Sequence, residues 1–223
     1  MHVIAPQVRR TARLMLRRGS EALMTVFFFI MVASFFALAL GGDAVLIAKA
    51  APGVIWTSAL LAALLALEAV YHRDYEDGTL DMILLSPVAP YQLAVAKMVS
   101  HWLVSGALLL PAALIMGFML FIPAASMGIL LLSLLLGTLY LSLLGGLGAA
   151  LTLGSRRPGI LLVLLILPLF LPMLLLGLMA LGASLAGLPS GAYVLLQAAL
   201  LLVALPLAPM AAAACLTMNM RSS

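Results

Sequence analysis

The chain has 223 residues, 66% hydrophobic and only 8% charged, which leaves too little polar surface for a soluble domain and predicts an integral membrane protein. Its long apolar runs lack alternating polarity, so they predict helices and exclude a lipid-facing barrel. The formal charge of +4 is read as membrane topology, not nucleic-acid binding, and the single Cys215 excludes an internal disulfide or a cysteine-based metal site.

Residues 1–22 carry Arg9, Arg10, Arg13, Arg17 and Arg18 among Ala12, Leu14, Met15 and Leu16. Cations on one helical face and apolar residues on another predict a short helix lying in the membrane interface. A first span is expected over 23–40. Ala37-Leu38-Ala39 imitates a cleavage site, but the apolar run is long for a signal peptide and 22 residues precede it, so the span is read as retained. Residues 41–51 are expected to form an outer loop containing Asp43 and Lys49. The second span, 52–70, opens with Pro52 in a helix's first turn and Trp56 at interfacial depth, and carries Glu68 at its far end.

A polar island follows at 71–97, holding Asp74, Glu76, Asp77 and Asp81, four of the chain's seven acids. Four further spans are expected over 98–121, 128–153, 160–186 and 192–217, joined by short connections. Six spans place both termini on one side. Ten of the eleven basic residues, all but Lys49, fall on that side, which predicts that it is the cytoplasm. No repeat or separate soluble domain is visible, so 1–223 is expected to be one transmembrane domain.

Within the fourth span Thr138, Ser142, Gly146, Ala150 and Gly154 place a small residue at every fourth position, beside a second row of Gly137, Gly145 and Ala149. Such rows let helix backbones approach, so this helix is expected at the centre of the bundle or in a subunit interface. Pro168 and Pro172 in the fifth span, and Pro206 and Pro209 in the sixth, are expected to bend their helices.

The spans hold little that could do chemistry. Apart from Glu68, none carries an acid, lysine or arginine near its middle, which argues against an ion-coupled carrier or an intramembrane hydrolase. No selectivity ring or filter motif suggests a channel. His2, His72 and His101 fall on or near the cytoplasmic side, and His101, next to Trp102, is read as a buried, hydrogen-bonded histidine and not a ligand. The chain is therefore expected to be no enzyme and to bind no cofactor or metal itself. Energy for any movement must be imported.

The island is where it could enter. Asp77 or Thr79 can cap a helix, Gly78 allows a sharp turn, and Asp81 suits the first turn. Leu80, Ile83, Leu84 and Pro87 then recur with helical spacing until Ser86-Pro87 stops the run. A two-turn helix is too short to stand alone and needs a docking surface. Its acids are repelled by anionic lipid, which favours protein over membrane. A solvated hairpin packed on its own helix ends is the plainer alternative.

Glu76-Asp77-Gly78-Thr79-Leu80-Asp81, with Leu84-Leu85-Ser86-Pro87-Val88 and Lys97, resembles the first cytoplasmic loop of the ABC-2 class of ABC-transporter permeases. Within that class the chain is similar over almost its whole length to the CcmB family of cytochrome c maturation. The similarity runs through Ala51-Pro52-Gly53-Val54-Ile55-Trp56, Asp77-Gly78, Leu85-Ser86-Pro87, Lys97, His101-Trp102, Leu136-Gly137-Thr138, Leu141-Ser142, Gly148-Ala149-Ala150-Leu151-Thr152, Arg156-Arg157 and Leu167-Pro168-Leu169. Leu139 and Pro158 depart from it, standing where the family usually has proline and glycine.

The resemblance implies an all-α, ABC-2 (type V exporter-like) permease fold with six transmembrane helices, an N-terminal interfacial helix and a cytoplasmic coupling helix. It makes Glu76, Asp77, Gly78, Thr79, Leu80, Asp81, Ile83 and Leu84 the residues that meet the ATPase. It also implies a homodimer in the bacterial inner membrane, paired with a CcmA-like ATP-binding subunit and working with CcmC-like and CcmD-like membrane subunits. ATP would bind on the ATPase and haem would be carried by partners, with hydrolysis driving release of a haem-loaded CcmE-like chaperone at the outer face. The chain has no nucleotide-binding loop of its own. Two other readings stay open: an ABC-2 permease for another amphipathic substrate, such as lipid or glycan, and a membrane scaffold that transports nothing.

Overall fold

In lipid an apolar run must satisfy its backbone hydrogen bonds internally, and each of the six expected runs is a helix. The computed structural model describes residues 19–67, 70–71, 89–153, 155 and 157–222. Its helices are α1 (Gly19–Ala39), α2 (Ala44–Leu67), α3 (Pro90–Met119), α4 (Ala124–Leu151), α5 (Pro158–Leu185) and α6 (Gly191–Ser222). All six are long and apolar enough to cross a membrane. Of the segment expected to lie in the interface, 19–22 belong to α1 and 1–18 lie outside the described residues.

The outer loop expected over 41–51 is instead a tight turn. Gly41 and Gly42 take φ of 68° and 77°, which only glycine adopts freely. Asp43 then caps α2, its Oδ1 accepting the N–H groups of Val45 at 2.9 Å and Leu46 at 3.2 Å. Lys49 and Pro52 therefore lie inside α2, not in a loop and a first turn. Trp56 is likewise not interfacial: it sits midway along the 24 residues of α2 and is 2% exposed. Its indole lies over Gly137 of α4 and Gly177 of α5, where a Cβ would collide with the ring.

The third span begins eight residues before the expected position 98. Pro90 occupies the first turn after an extended Ala89, so 90–97 belong to α3 and not to a free loop. A π-helical stretch, Trp102–Gly106, interrupts α3, with the Ala107 N–H donating to the Trp102 carbonyl. Nothing in the sequence pattern announced it.

Two turns at the opposite end of the bundle from the island share one geometry. After α5, Gly187 takes φ 70° while the Leu188 N–H donates to Ala183 O at 2.8 Å and Gly187 N–H to Ser184 O at 3.1 Å. After α3 the same pattern closes on Gly117 and Phe118, but the left-handed position is Phe121, at φ 58°. A bulky side chain resists that conformation by about 1–2 kcal/mol. Phe121→Gly is therefore expected to stabilise the extracted protein by about 1 kcal/mol, raising its melting temperature by a few degrees. An unchanged or lower melting temperature would show that the half-exposed Phe121 ring contributes as much as its backbone costs.

At the centre of the bundle α4 packs most extensively on α6 and α5. Gly145 lies against Leu67, Gly146 against Met98, and Gly148 against Ile166 and Leu162, so its glycines admit α2, α3 and α5 at close range. Pro168, Pro172, Pro206 and Pro209 all sit inside unbroken helices. Near Pro172 the backbone carbonyls take donors from neighbours: Tyr140 O–H donates to Leu169 O and Gln197 Nε2 to Met173 O, both at 3.3 Å.

Candidate functional site

The coupling residues Glu76, Asp77, Gly78, Thr79, Leu80, Asp81, Ile83 and Leu84 lie outside the described residues, as do Glu68, Gly154 and Arg156. What the structure does show is how the two ends of that segment are held together. Leaving α2, the chain buries Val70 and Tyr71 completely. Lys97, two turns into α3, is 6% exposed and donates from Nζ to the Val70 carbonyl at 3.2 Å. The same ammonium lies 5.9 Å from the centre of the Tyr71 ring. A lysine at this point also complements the carbonyl-rich end of α2. Lys97 thus ties the chain leaving α2 to α3.

From Lys97 one face of α3 continues inward through His101 and Ser105 at four-residue spacing. His101 is buried, and its Nδ1 shares a 3.0 Å hydrogen bond with Ser142 Oγ of α4. Ser105 Oγ donates to the His101 carbonyl at 2.8 Å and stands 3.2 Å from its Nε2. Beside it the Trp102 indole N–H donates to Thr138 Oγ1 at 3.2 Å, also on α4. The π-helical stretch falls at this junction. Gly106 completes it, because a Cβ there would come 2.6 Å from Trp102 Cδ1 and 3.1 Å from Thr138 Cβ.

The small-residue row of α4 therefore does two things. Gly146 admits the Met98 side chain of α3, while Thr138 and Ser142 accept or share hydrogen bonds from α3. All of Thr138, Ser142, Gly146 and Ala150 are buried within this chain. Two polar contacts elsewhere were not singled out from the sequence. Gln197 of α6 is fully buried, accepting from Ser133 Oγ at 2.8 Å as it donates to Met173 O, and Ser184 Oγ donates to Ser126 Oγ at 2.9 Å. A search confined to ionisable groups passes over an amide, although Gln197 stands alone in an apolar run. Among the described residues no group of three or more His, Cys, Asp or Glu is placed to hold a metal.

Six helices long and apolar enough to cross a membrane, packed around a glycine-rich central helix, fit an all-α integral membrane permease bundle. The family model described as CcmB protein matches residues 3–219. The chain is 46% identical over 213 residues to "Heme exporter protein B" of Pseudomonas aeruginosa, covering 96% of each protein. It is 41% identical over 213 residues to the protein of that name from Paracoccus denitrificans, covering 95% of this chain and 97% of that one. The Escherichia coli K12 protein of that name is 37% identical over 213 residues, with 96% and 97% covered. The chain belongs to the CcmB family.

Proposed function

We propose that this chain is the membrane permease subunit of an ATP-driven complex of cytochrome c biogenesis, in which it converts the movement of a separate ATPase into a change at the outer face of the inner membrane. Its island lies in the cytoplasm with both termini, docks a CcmA-like ATPase through Glu76, Asp77, Gly78, Thr79, Leu80, Asp81, Ile83 and Leu84, and receives the stroke there. Two copies pair in the complex, and CcmC-like, CcmD-like and CcmE-like partners handle the haem. The outcome is haem delivery by release of the loaded chaperone. The chain itself supplies neither a nucleotide site nor a catalytic group.

The observation that carries this reading is the tie at the island's base. Lys97 joins the end of α2 to α3, and α3 is hydrogen-bonded to α4 through His101 and Trp102. From the island's described base, packed and hydrogen-bonded contacts lead through α3 to the central helix. The full-length likeness to the named haem exporters supports the haem context.

Charge reversal at Asp77 and Asp81 (D77K, D81K) tests it. Membrane insertion and yield should be unchanged, while stimulation of ATP hydrolysis in the purified complex falls by about tenfold or more, as expected when charge-assisted docking contacts are replaced by repulsion. Unchanged stimulation would favour a scaffold. A deletion strain should accumulate the haem-loaded chaperone; normal chaperone turnover would point instead to a permease for lipid or glycan.

A further inference from the structure

α3 changes its packing partners at the point where its α-helical winding is interrupted. Its inner half, Pro90–His101, packs on α4 and α6, whereas its outer half, Ala107–Met119, packs on α1, α2 and α4. Between the halves the π-helical Trp102–Gly106 takes an extra residue into the turn, its hydrogen bond running from the Ala107 N–H back to the Trp102 carbonyl. A wide turn of this kind is where a helix bends. The inner half also carries Lys97, and through it the Val70 carbonyl and the Tyr71 ring.

The side chains at this turn are built to let go. Trp102 donates to Thr138 Oγ1 at 3.2 Å and His101 shares a 3.0 Å hydrogen bond with Ser142, and bonds of this type between membrane helices contribute little net stability each. The indole rests on Gly106, where a Cβ would stand 2.6 Å from its Cδ1, so it lies over bare backbone that does not trap it. Ser105 Oγ donates to the His101 carbonyl at 2.8 Å, within the same turn of α3, and keeps that carbonyl satisfied without any help from α4. Next to His101, Ser100 Oγ is fully buried and has no hydrogen-bond partner among the described residues. An unpaired buried hydroxyl raises the free energy of the seated inner half and favours a second seating that pairs it. We propose that Trp102–Gly106 is a hinge on which the inner half of α3 swings on and off α4, latched by the Trp102–Thr138 and His101–Ser142 hydrogen bonds. The hinge is a property of this chain alone and does not depend on the reading of the island as an ATPase dock.

A full-length chain carrying Trp56→Leu keeps Trp102 as its sole tryptophan, so fluorotryptophan labelling and fluorine NMR of the extracted protein report the latch directly. Two states should exchange on the μs–ms scale. Thr138→Val, which keeps the shape and removes the acceptor, should raise the unlatched population about threefold. Gly106→Ala, whose methyl displaces the indole, should leave the unlatched resonance only. On a Cys215→Ala background, spin labels replacing the exposed Tyr91 and Ile160, at the inner ends of α3 and α5, should give two distances, the second growing with Thr138→Val. Labels replacing the exposed Phe118 and Met179, at the outer ends of the same helices, should give one distance throughout. A single sharp fluorine line without exchange, or populations indifferent to Thr138→Val, overturns the hinge. So does an outer pair that changes together with the inner one, which would make α3 a single rigid rod.

Discussion

Replacing Lys97 by methionine is expected to leave the bundle folded while lowering, by about tenfold, stimulation of the ATPase proposed to dock on this chain. The two halves of that expectation have different origins. A buried ammonium has lost its water at a cost of several kcal/mol, and a methionine of similar length removes that cost. Against this stand the hydrogen bond to the Val70 carbonyl, left wanting a donor at about 1–3 kcal/mol, and a cation–π contact with Tyr71 of about 0.5–2 kcal/mol. These terms nearly cancel in folding. They do not cancel in positioning, because both the Val70 hydrogen bond and the Tyr71 contact join the start of the island to α3 through the Lys97 ammonium. A charged hydrogen bond worth about 1.5–3 kcal/mol holds the tied arrangement over the untied one by roughly tenfold to a hundredfold. The measurement pairs the melting temperature of the extracted protein with ATP hydrolysis by the assembled complex. A fall in melting temperature with normal stimulation would make Lys97 a packing residue only.

The six helices were legible because lipid permits an apolar run of that length no other described form. Their starts were less so, and the reason is specific. The first-turn proline expected at Pro52 is not one, whereas Pro90, left in the loop before position 98, occupies the first turn of α3. At Pro52 the cap supplied by Asp43 starts α2 earlier, and apolar Ala44 to Ile47 extend it. Trp56 misled in a similar way. Tryptophan is common at membrane interfaces, but two glycines on two other helices, Gly137 and Gly177, are what make room for this one, and no local pattern links them. His101 was readable as a buried, hydrogen-bonded histidine, and its bond to Ser142 joins two motifs that lie 41 residues apart in sequence. The π-helical stretch at Trp102–Gly106 depends on that same packing across helices and left no trace in apolar spacing.

Gly177→Ala is expected to lower the melting temperature by about 3–10 °C, and the loss should largely disappear in a Trp56→Leu background. An added Cβ at Gly177 would fall inside contact distance of the Trp56 ring. The ring cannot step aside, because a Cβ-free site at Gly137 on α4 already holds its other edge, at 2.5 Å from where a methyl would stand. Phe170 limits it further, with ring centres 6.4 Å apart and planes inclined at 41°. An indole is rigid, so relief must come from moving α2 away from α5, an overpacking penalty of about 1–3 kcal/mol. Trp56→Leu alone should cost less than a buried aromatic usually does. Its Nε1–H has no hydrogen-bond partner among the described residues, and leucine removes that unsatisfied donor, worth about 1–3 kcal/mol, along with the ring. The double variant decides between packing through the indole and a general intolerance of side chains at position 177. If the two substitutions lower the melting temperature additively, Trp56 is not what holds α2 against α5 at the middle of the bundle.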